Sequence, residues 1–137
     1  MLARLYQTVA YGGPGSIAVC FMGETFRTNA HTSDRGISEA GFENQKLATA
    51  SHIRYVYTPL LIDLGYAWVD THIYTEPSKF QDHLVAWYGH ISRNVYSTFA
   101  KTAYDNGNAP IPLGFFNNWD YDAVILLRPD LTSFPHF

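Results

Sequence analysis

The chain has 137 residues, a net charge of -3 and a pI near 6.0. This length suffices for one domain with its own hydrophobic core. Only nine residues are Lys or Arg, and they are scattered, which argues against a nucleic acid or an anionic membrane as partner because both require a clustered basic surface. The single cysteine, Cys20, excludes an internal disulfide and lies in an apolar run typical of a buried, inert thiol.

The composition also bears on compartment and domain count. No stretch approaches the roughly 20 apolar residues of a membrane span, and residues 1–5 lack the apolar core of a signal peptide. We find no internal repeat and no linker-like shift in composition. We therefore expect a soluble chain in which residues 1–137 form a single domain.

The first half of the chain contains a predicted strand and a predicted helix. Residues 17–22 are apolar and end at Gly23, which predicts a buried strand. Apolar residues then recur at the helical period, with Gly65 as a stop, and Pro59 should kink this helix or split it in two. The predicted apolar positions are Leu47, Ala50, Ile53, Tyr57, Leu60, Leu61 and Leu64.

A second strand and a second helix follow. Residues 67–74 are rich in aromatic and β-branched side chains, which predicts a strand. Ser78 and Gln81 have the spacing of a capping box that opens a helix, and Gly89 closes it. The predicted apolar side of this helix carries Phe80, Leu84, Trp87 and Tyr88.

The last third of the chain is predicted to contain two strands. Residues 91–99 form a weaker strand pattern and residues 104–112 a loop. Residues 123–127 are continuously apolar, which is typical of a strand covered on both faces. Strands that alternate with helices predict an α/β fold with a mostly parallel sheet of about four strands.

The strand order determines which loops meet. If the strands adopt the doubly wound order 3-2-1-4, the first and last strands become neighbours at the switch point. Gly23 and Asp130 would then face one crevice at the carboxyl edge of the sheet. Open α/β folds bind their ligands there.

The segment from Gly23 to Thr28 is a candidate diphosphate site. A glycine after a strand lets the backbone approach a phosphate, and Arg27 can hold it through charge-assisted hydrogen bonds. We include Thr25 and Thr28 as candidate binding residues. The segment is not a G-x-G-x-x-G or P-loop fingerprint, and the alternative is that Arg27 is an ordinary surface residue.

The segment Arg128-Pro129-Asp130 is the second candidate. It is similar to half of an Asp-x-Asp motif, in which a carboxylate at a strand end holds Mn²⁺ or Mg²⁺ against a nucleotide diphosphate. Asp130 is accordingly the predicted metal ligand. Asp120 and Asp122 match the motif literally, but they precede the strand and are predicted to be turn formers at the opposite edge of the sheet.

Other chemistry receives little support from the residues. The six histidines lie on separate predicted elements without metal-ligand spacing. Asp70 and His72 share one face of the second strand, and we interpret them as a structural pair rather than a catalytic one. Neither G-x-S-x-G nor a helical H-E-x-x-H is present, so nothing supports a nucleophile-based hydrolase.

Five segments together resemble the N-terminal, nucleotide-sugar-binding half of a group of viral and microbial glycosyltransferases. The last of them, Tyr121 to Leu131, resembles the family pattern YD-x-V-I-x-x-R-P-D-L and is the most specific. The segments are residues 17–23, Arg27-Thr28, Pro59-Leu60 with Gly65-Tyr66, residues 69–75 and residues 121–131.

The resemblance implies a Rossmann-like three-layer sandwich of the Asp-x-Asp type. It implies that Asp130 is the carboxylate of the metal or donor diphosphate and that Arg128 is its electrostatic companion. The family spacing is usually G-x-x-R, whereas three residues separate Gly23 from Arg27 here. Such enzymes carry the acceptor site and the catalytic base in a C-terminal half, so we expect a truncated glycosyltransferase whose catalytic residues are unassigned.

Two functions remain open from the sequence. The first is a glycosyltransferase-like donor domain that binds a nucleoside-diphosphate sugar, with a divalent cation as cofactor and a glycan or other hydroxyl acceptor as the second partner. The alternative is a non-catalytic nucleotide-binding or protein-interaction module of a larger assembly.

Overall fold

The computed structural model describes residues 3–7, 15–28, 38–100 and 121–132. The strands are β1 (Ala3–Gln7), β2 (Ser16–Met22), β3 (Trp68–Thr75), β4 (Val95–Phe99) and β5 (Ala123–Leu127). The helices are α1 (Glu39–His52) and α2 (Gln81–Gly89), with two π-helical segments, Ile53–Tyr57 and Pro59–Asp63, between α1 and β3. The predicted loop at residues 104–112 lies outside the described residues.

The strands form one sheet in the order β1-β5-β2-β3-β4. Strands β5, β2, β3 and β4 are parallel, and β1 pairs with β5 in the antiparallel direction. The α/β fold and the order 3-2-1-4 of the parallel strands are therefore confirmed. The antiparallel strand β1 is not among the predicted elements, because a five-residue edge strand containing Arg4 and Gln7 has no distinctive apolar pattern.

Both helices pack against one face of the sheet. Val19 and Phe21 of β2 belong to the same buried cluster as Leu84 and Tyr88 of α2 and Tyr57 of the first π-helical segment. Consecutive right-handed crossovers that advance in one direction along the sheet place their helices on the same face. The described helices thus account for one helical layer of the predicted three-layer sandwich. The opposite face has its own buried cluster, formed by Ala18, Cys20, Tyr121 and Val124.

The predicted apolar face of the first helix is wrong along α1. Leu47 is 65% exposed and Ala50 is also exposed. The buried side of α1 instead carries Gln45, Thr49 and His52. Gln45 and His52 hydrogen-bond to the loops at the carboxyl edge of the sheet, and Thr49 bonds to the side chains of Gln45 and Tyr88.

Pro59 changes the type of helix without ending it. After α1 the chain continues in wider turns, in which the N–H of Thr58 bonds to the carbonyl of Ile53 and the N–H of Leu64 bonds to the carbonyl of Pro59. Proline lacks an N–H and clashes with the carbonyl four residues earlier, so π turns accommodate it better than α turns. Tyr57 and Leu60 are buried in this region, as predicted, whereas Leu64 is 69% exposed.

The second helix agrees closely with the prediction. The N–H of Ser78 donates to Oε1 of Gln81 at 3.2 Å, which is one contact of the predicted capping box, but α2 begins at Gln81 with Phe80 as its N-cap. Helix α2 ends at Gly89 and buries Leu84 and Tyr88. Strand β4 is shorter than predicted and begins at Val95.

Within the described ranges, no helix combines the length and apolar character needed to cross a membrane.

Candidate ligand-binding cleft

A cleft of about 530 Å³ lies at the carboxyl edge of the sheet, between the loops that follow β2 and β5 and the first half of α1. The two loops are in contact, since a Cβ built on Gly23 would lie 3.6 Å from Cδ of Pro129. The ends of β2 and β5 thus share one edge, at the switch point of the strand order. The lining residues are Arg27, Thr28, Asn44, Leu47, Asp130, Leu131 and Thr132.

Charged side chains of alternating sign lie in and beside the cleft: Arg27 and Asp130 line it, and Glu24 and Arg128 contact them from beside it. Nε of Arg27 is 3.0 Å from Oε2 of Glu24, and Nη1 of Arg27 is 3.6 Å from Oδ2 of Asp130. Arg128 donates to both oxygens of Asp130, at 3.2 Å from Nε and 2.9 Å from Nη2. The structure therefore brings together Arg27, Arg128 and Asp130, three of the predicted site residues. Thr28 also lines the cleft.

Gly23 and Thr25 have contacts that fix the loop to β3. The hydroxyl of Thr75 donates to the carbonyl of Gly23 at 2.6 Å and lies 3.2 Å from the hydroxyl of Thr25. Thr25 is buried and is not among the residues that line the cleft. Gly23 has a φ of 134°, which L side chains rarely adopt.

Phe26 holds the loop after β2 in an uncommon conformation. Its φ is 54°, in the left-handed region that costs energy for a bulky residue. The ring is buried against Phe42, Phe80 and Trp87, and the N–H donates to Oε1 of Gln45 at 3.1 Å. Packing and a hydrogen bond from α1 therefore compensate for the backbone strain next to Arg27.

The carbonyl of Phe26 also contacts α1 closely, which gives a stability prediction for Gly41. A Cβ at Gly41 would lie 2.3 Å from that carbonyl oxygen, whereas a Cβ at Gly89 would have no neighbour within 4 Å. Gly41→Ala should lower the free energy of unfolding by about 1 to 3 kcal/mol through overpacking. Gly89→Ala, the matched control, should be neutral or stabilising by up to about 1 kcal/mol because alanine favours helices. Urea unfolding of both variants checks the difference, and equal effects would contradict it.

A buried hydrogen-bond network joins both loops to α1 and α2. Nε2 of Gln45 donates to the carbonyl of Pro129 at 2.8 Å and to the hydroxyl of Thr49 at 3.3 Å. Thr49 donates to the hydroxyl of Tyr88 at 3.3 Å, and that hydroxyl lies 2.8 Å from Nδ1 of His52. The two cleft loops are therefore held by the polar side of one helix.

His52 completes this network at the loop after β5. Its Nε2 lies 2.6 Å from the carbonyl of Leu131, which can only accept, so Nε2 carries the proton and Nδ1 accepts from Tyr88. Burial lowers the pKa of His52 to about 4, although the Leu131 carbonyl and the charge of Asp130 favour the protonated form. The neutral imidazole thus fits the network at neutral pH.

A second polar network lies on the opposite face of the sheet. Asp70 accepts from Nε of Arg93 at 3.0 Å and from the hydroxyl of Tyr121 at 2.9 Å, and that hydroxyl lies 2.8 Å from Nε2 of His72. Burial would raise the pKa of Asp70, but hydrogen bonds from Arg93 and Tyr121 outweigh it and the pKa is lowered. Burial lowers the pKa of His72 to about 4. Asp70 and His72 are thus linked through one tyrosine hydroxyl.

Asp122 lies at the opposite end of β5 from the cleft. Its Oδ2 accepts from the N–H of Gly15 at 2.5 Å, and its own N–H donates to the carbonyl of Ser16 at 2.8 Å. This is the turn position predicted for it, at the amino edge of the sheet. Asp120 lies outside the described residues.

The contacts of the described residues do not fit the divalent cation that the resemblance implies. Arg128 already occupies both oxygens of Asp130, and the nearby carboxylate of Glu24 contacts Arg27. Among the residues that the structure describes, no three His, Cys, Asp or Glu side chains are grouped so that they could hold a metal ion. A cation at Asp130 stays a prediction from the sequence.

Comparisons with known proteins add no identification. No protein-family model matches the chain, and the searches of curated proteins and of solved structures gave no significant match.

Proposed function

We propose that the cleft binds a nucleoside-diphosphate sugar and that the chain is a donor domain for sugar transfer to a hydroxyl acceptor. One observation carries the proposal: Arg27 and Asp130, from loops far apart in sequence, line one cleft at the switch point of the sheet. Ligands of open α/β folds bind at this position. A volume of about 530 Å³ is within the usual range for small-molecule sites.

The chemistry of the lining supports a ligand with both an anionic and an apolar part. Guanidinium groups bind phosphate oxygens through charge-assisted, often bidentate, hydrogen bonds, and Arg27 is in position to do so. Thr28, Asn44 and Thr132 add polar groups that can bond to hydroxyls. Leu47, 65% exposed at the same cleft, provides apolar surface for a base or a ribose.

A second function, a non-catalytic interaction module, is favoured by exposed apolar residues away from the cleft. Ile62 is 75% exposed, Leu64 is 69% exposed and Trp68 is 42% exposed, and none of them lines the cleft. Side chains of this kind, when they form one patch, mark protein-interaction surfaces. An interaction module does not need to bind a sugar nucleotide. A measurement of sugar-nucleotide binding therefore distinguishes the two functions.

Calorimetry with UDP- and GDP-linked sugars tests the proposal. We expect one of these donors to bind, and Arg27→Ala should weaken its binding by about 1.5 to 3 kcal/mol, the range for hydrogen bonds to charged groups. Arg54→Ala is the matched control, because Arg54 is exposed, lies over the ring of Tyr55 and does not line the cleft. Absence of heat with every donor, or equal losses in the two variants, would favour the interaction module.

A further inference from the structure

In this group of charged residues, the acidic side chains are less exposed to solvent than the basic ones. The side chains of Glu24 and Asp130 are only 5% and 7% exposed, whereas those of Arg27 and Arg128 are 30% and 48% exposed. A carboxylate that binds a metal ion against a ligand should have an oxygen directed at that ligand. Here both carboxylates are covered by guanidinium groups, and the positive groups are the accessible ones.

The contacts of Asp130 are those of a residue that orients arginines. Both of its oxygens accept from Arg128 in a fork, and Oδ2 also lies 3.6 Å from Nη1 of Arg27. A fork of this kind fixes the plane of the guanidinium as well as its position. Glu24 contacts Arg27 from the other side, with its Oε2 3.0 Å from Nε of Arg27. The fork therefore fixes the orientation of Arg128, and Arg27 lies between two carboxylates.

We propose that Asp130 is a positioning residue that orients Arg27, which lines the cleft, and Arg128, which flanks it, for contact with a diphosphate, and that these arginines supply the positive charge that a divalent cation would otherwise bring. This inference rests on the proposed function. A cation at Asp130 would have to share oxygens that already accept from Arg128 and lie beside two like charges, at a carboxylate that is 7% exposed. Two guanidinium groups carry the same formal charge as one divalent cation, and the carboxylates of Glu24 and Asp130 offset that charge in either case.

The first test is direct binding of Mn²⁺ to the protein without nucleotide. Electron paramagnetic resonance measures free Mn²⁺ in titrations of the wild-type chain, of Asp130→Asn and of Asp122→Asn. Asp122 is the matched control because it flanks β5 at the opposite edge of the sheet. We expect the three titrations to coincide. Mn²⁺ binding that Asp130→Asn alone removes would overturn the inference, whether or not any nucleotide binds.

The second test compares donor binding in EDTA and in millimolar Mn²⁺. Because Mn²⁺ also binds free nucleotides, the informative quantity is the factor by which Mn²⁺ changes the affinity of each variant. We expect this factor to be the same for the wild-type chain and for Asp130→Asn. A Mn²⁺ effect that is lost only in Asp130→Asn would identify Asp130 as a cation ligand.

A third measurement tests whether Asp130 acts through Arg128. Arg128→Ala should weaken donor binding at least tenfold in EDTA, and Arg128→Lys should restore only part of it, because lysine cannot form the fork. In the Arg128→Ala background, Asp130→Asn should have less effect than in the wild-type chain, since one of the two arginines that Asp130 positions is gone. Additive effects, or wild-type affinity for Arg128→Ala, would overturn the inference. Failure of all donors to bind would instead overturn the proposed function, while the Mn²⁺ titration would still decide the role of Asp130.

Discussion

Gln45→Leu should lower the free energy of unfolding by roughly 3 to 5 kcal/mol, because it leaves two buried backbone groups without partners. Gln45 is 1% exposed. Its Oε1 accepts from the N–H of Phe26, and its Nε2 donates to the carbonyl of Pro129. Leucine has a similar size but can make neither bond, and water has little access to the site. The strained backbone of Phe26 would also lose its hydrogen bond.

Urea unfolding of Gln45→Leu and Lys46→Leu measures this effect against a matched control. Lys46 is the next residue on α1 and is exposed, so Lys46→Leu should change the free energy of unfolding by less than about 0.5 kcal/mol. Hydrogen exchange gives a local readout, because the amide of Phe26 should lose protection in Gln45→Leu and keep it in the control. A loss below about 1 kcal/mol for Gln45→Leu would show that the loops do not depend on this side chain.

The sheet could be predicted because its central strands have a recognisable pattern of apolar residues in the sequence. Strands β2 and β5 are covered on both faces, so nearly every residue is apolar, and the bounds of β5 agree with the predicted residues 123–127. The right-handed crossover rule then limits the strand order. Edge strands are harder to predict, because among the described strands β1 and β4 each pair on one side only and are not required to be apolar throughout.

The polar side of α1 could not be predicted from hydrophobic periodicity. Gln45, Thr49 and His52 are spaced at i, i+4 and i+7, which is a helix face, but polar residues at that spacing ordinarily indicate the exposed side. Gln45 and His52 find their partners in backbone groups of the loops at residues 23–28 and 128–132, and Thr49 finds its partners in Gln45 and Tyr88. One signal of this burial was present in the sequence. The opposite side of α1 carries the apolar Leu47, so the helix does not have a simple apolar side and polar side.

The position of the cleft, in contrast, followed from the strand order. Once β2 and β5 are neighbours, the residues after Gly23 and after Leu127 must meet, whatever the details of their conformation. What the sequence could not supply is how the charges pair. The motif predicts that the carboxylate of Asp130 is a metal ligand, but only the structure shows that Arg128 donates to both of its oxygens.

Acid should destabilise this protein between pH 6.5 and 4, because the folded state keeps His52 neutral. Burial lowers the pKa of His52 from 6.5 to about 4, so in this range the unfolded chain binds a proton that the folded chain excludes. The stabilisation is fully present above about pH 6.5, declines as the pH falls, and is lost at about pH 4. A depression of this size corresponds to roughly 3 kcal/mol. His72, whose pKa burial also lowers to about 4, should add to the decline.

The free energy of unfolding, measured by urea denaturation at several pH values from 7.5 to 4, checks this prediction. His52→Gln should be less stable than the wild-type chain at pH 7.5, because the bonds to Tyr88 and Leu131 are disturbed, but its stability should fall less steeply with acid. His90→Gln, at an exposed histidine, is the matched control and should keep the wild-type slope. The imidazole ¹⁵N shifts of the wild-type chain should show the Nε2–H tautomer of His52 down to about pH 5. If His52→Gln retains the wild-type slope, then His52 is not a neutral, buried member of the network that holds the cleft loops.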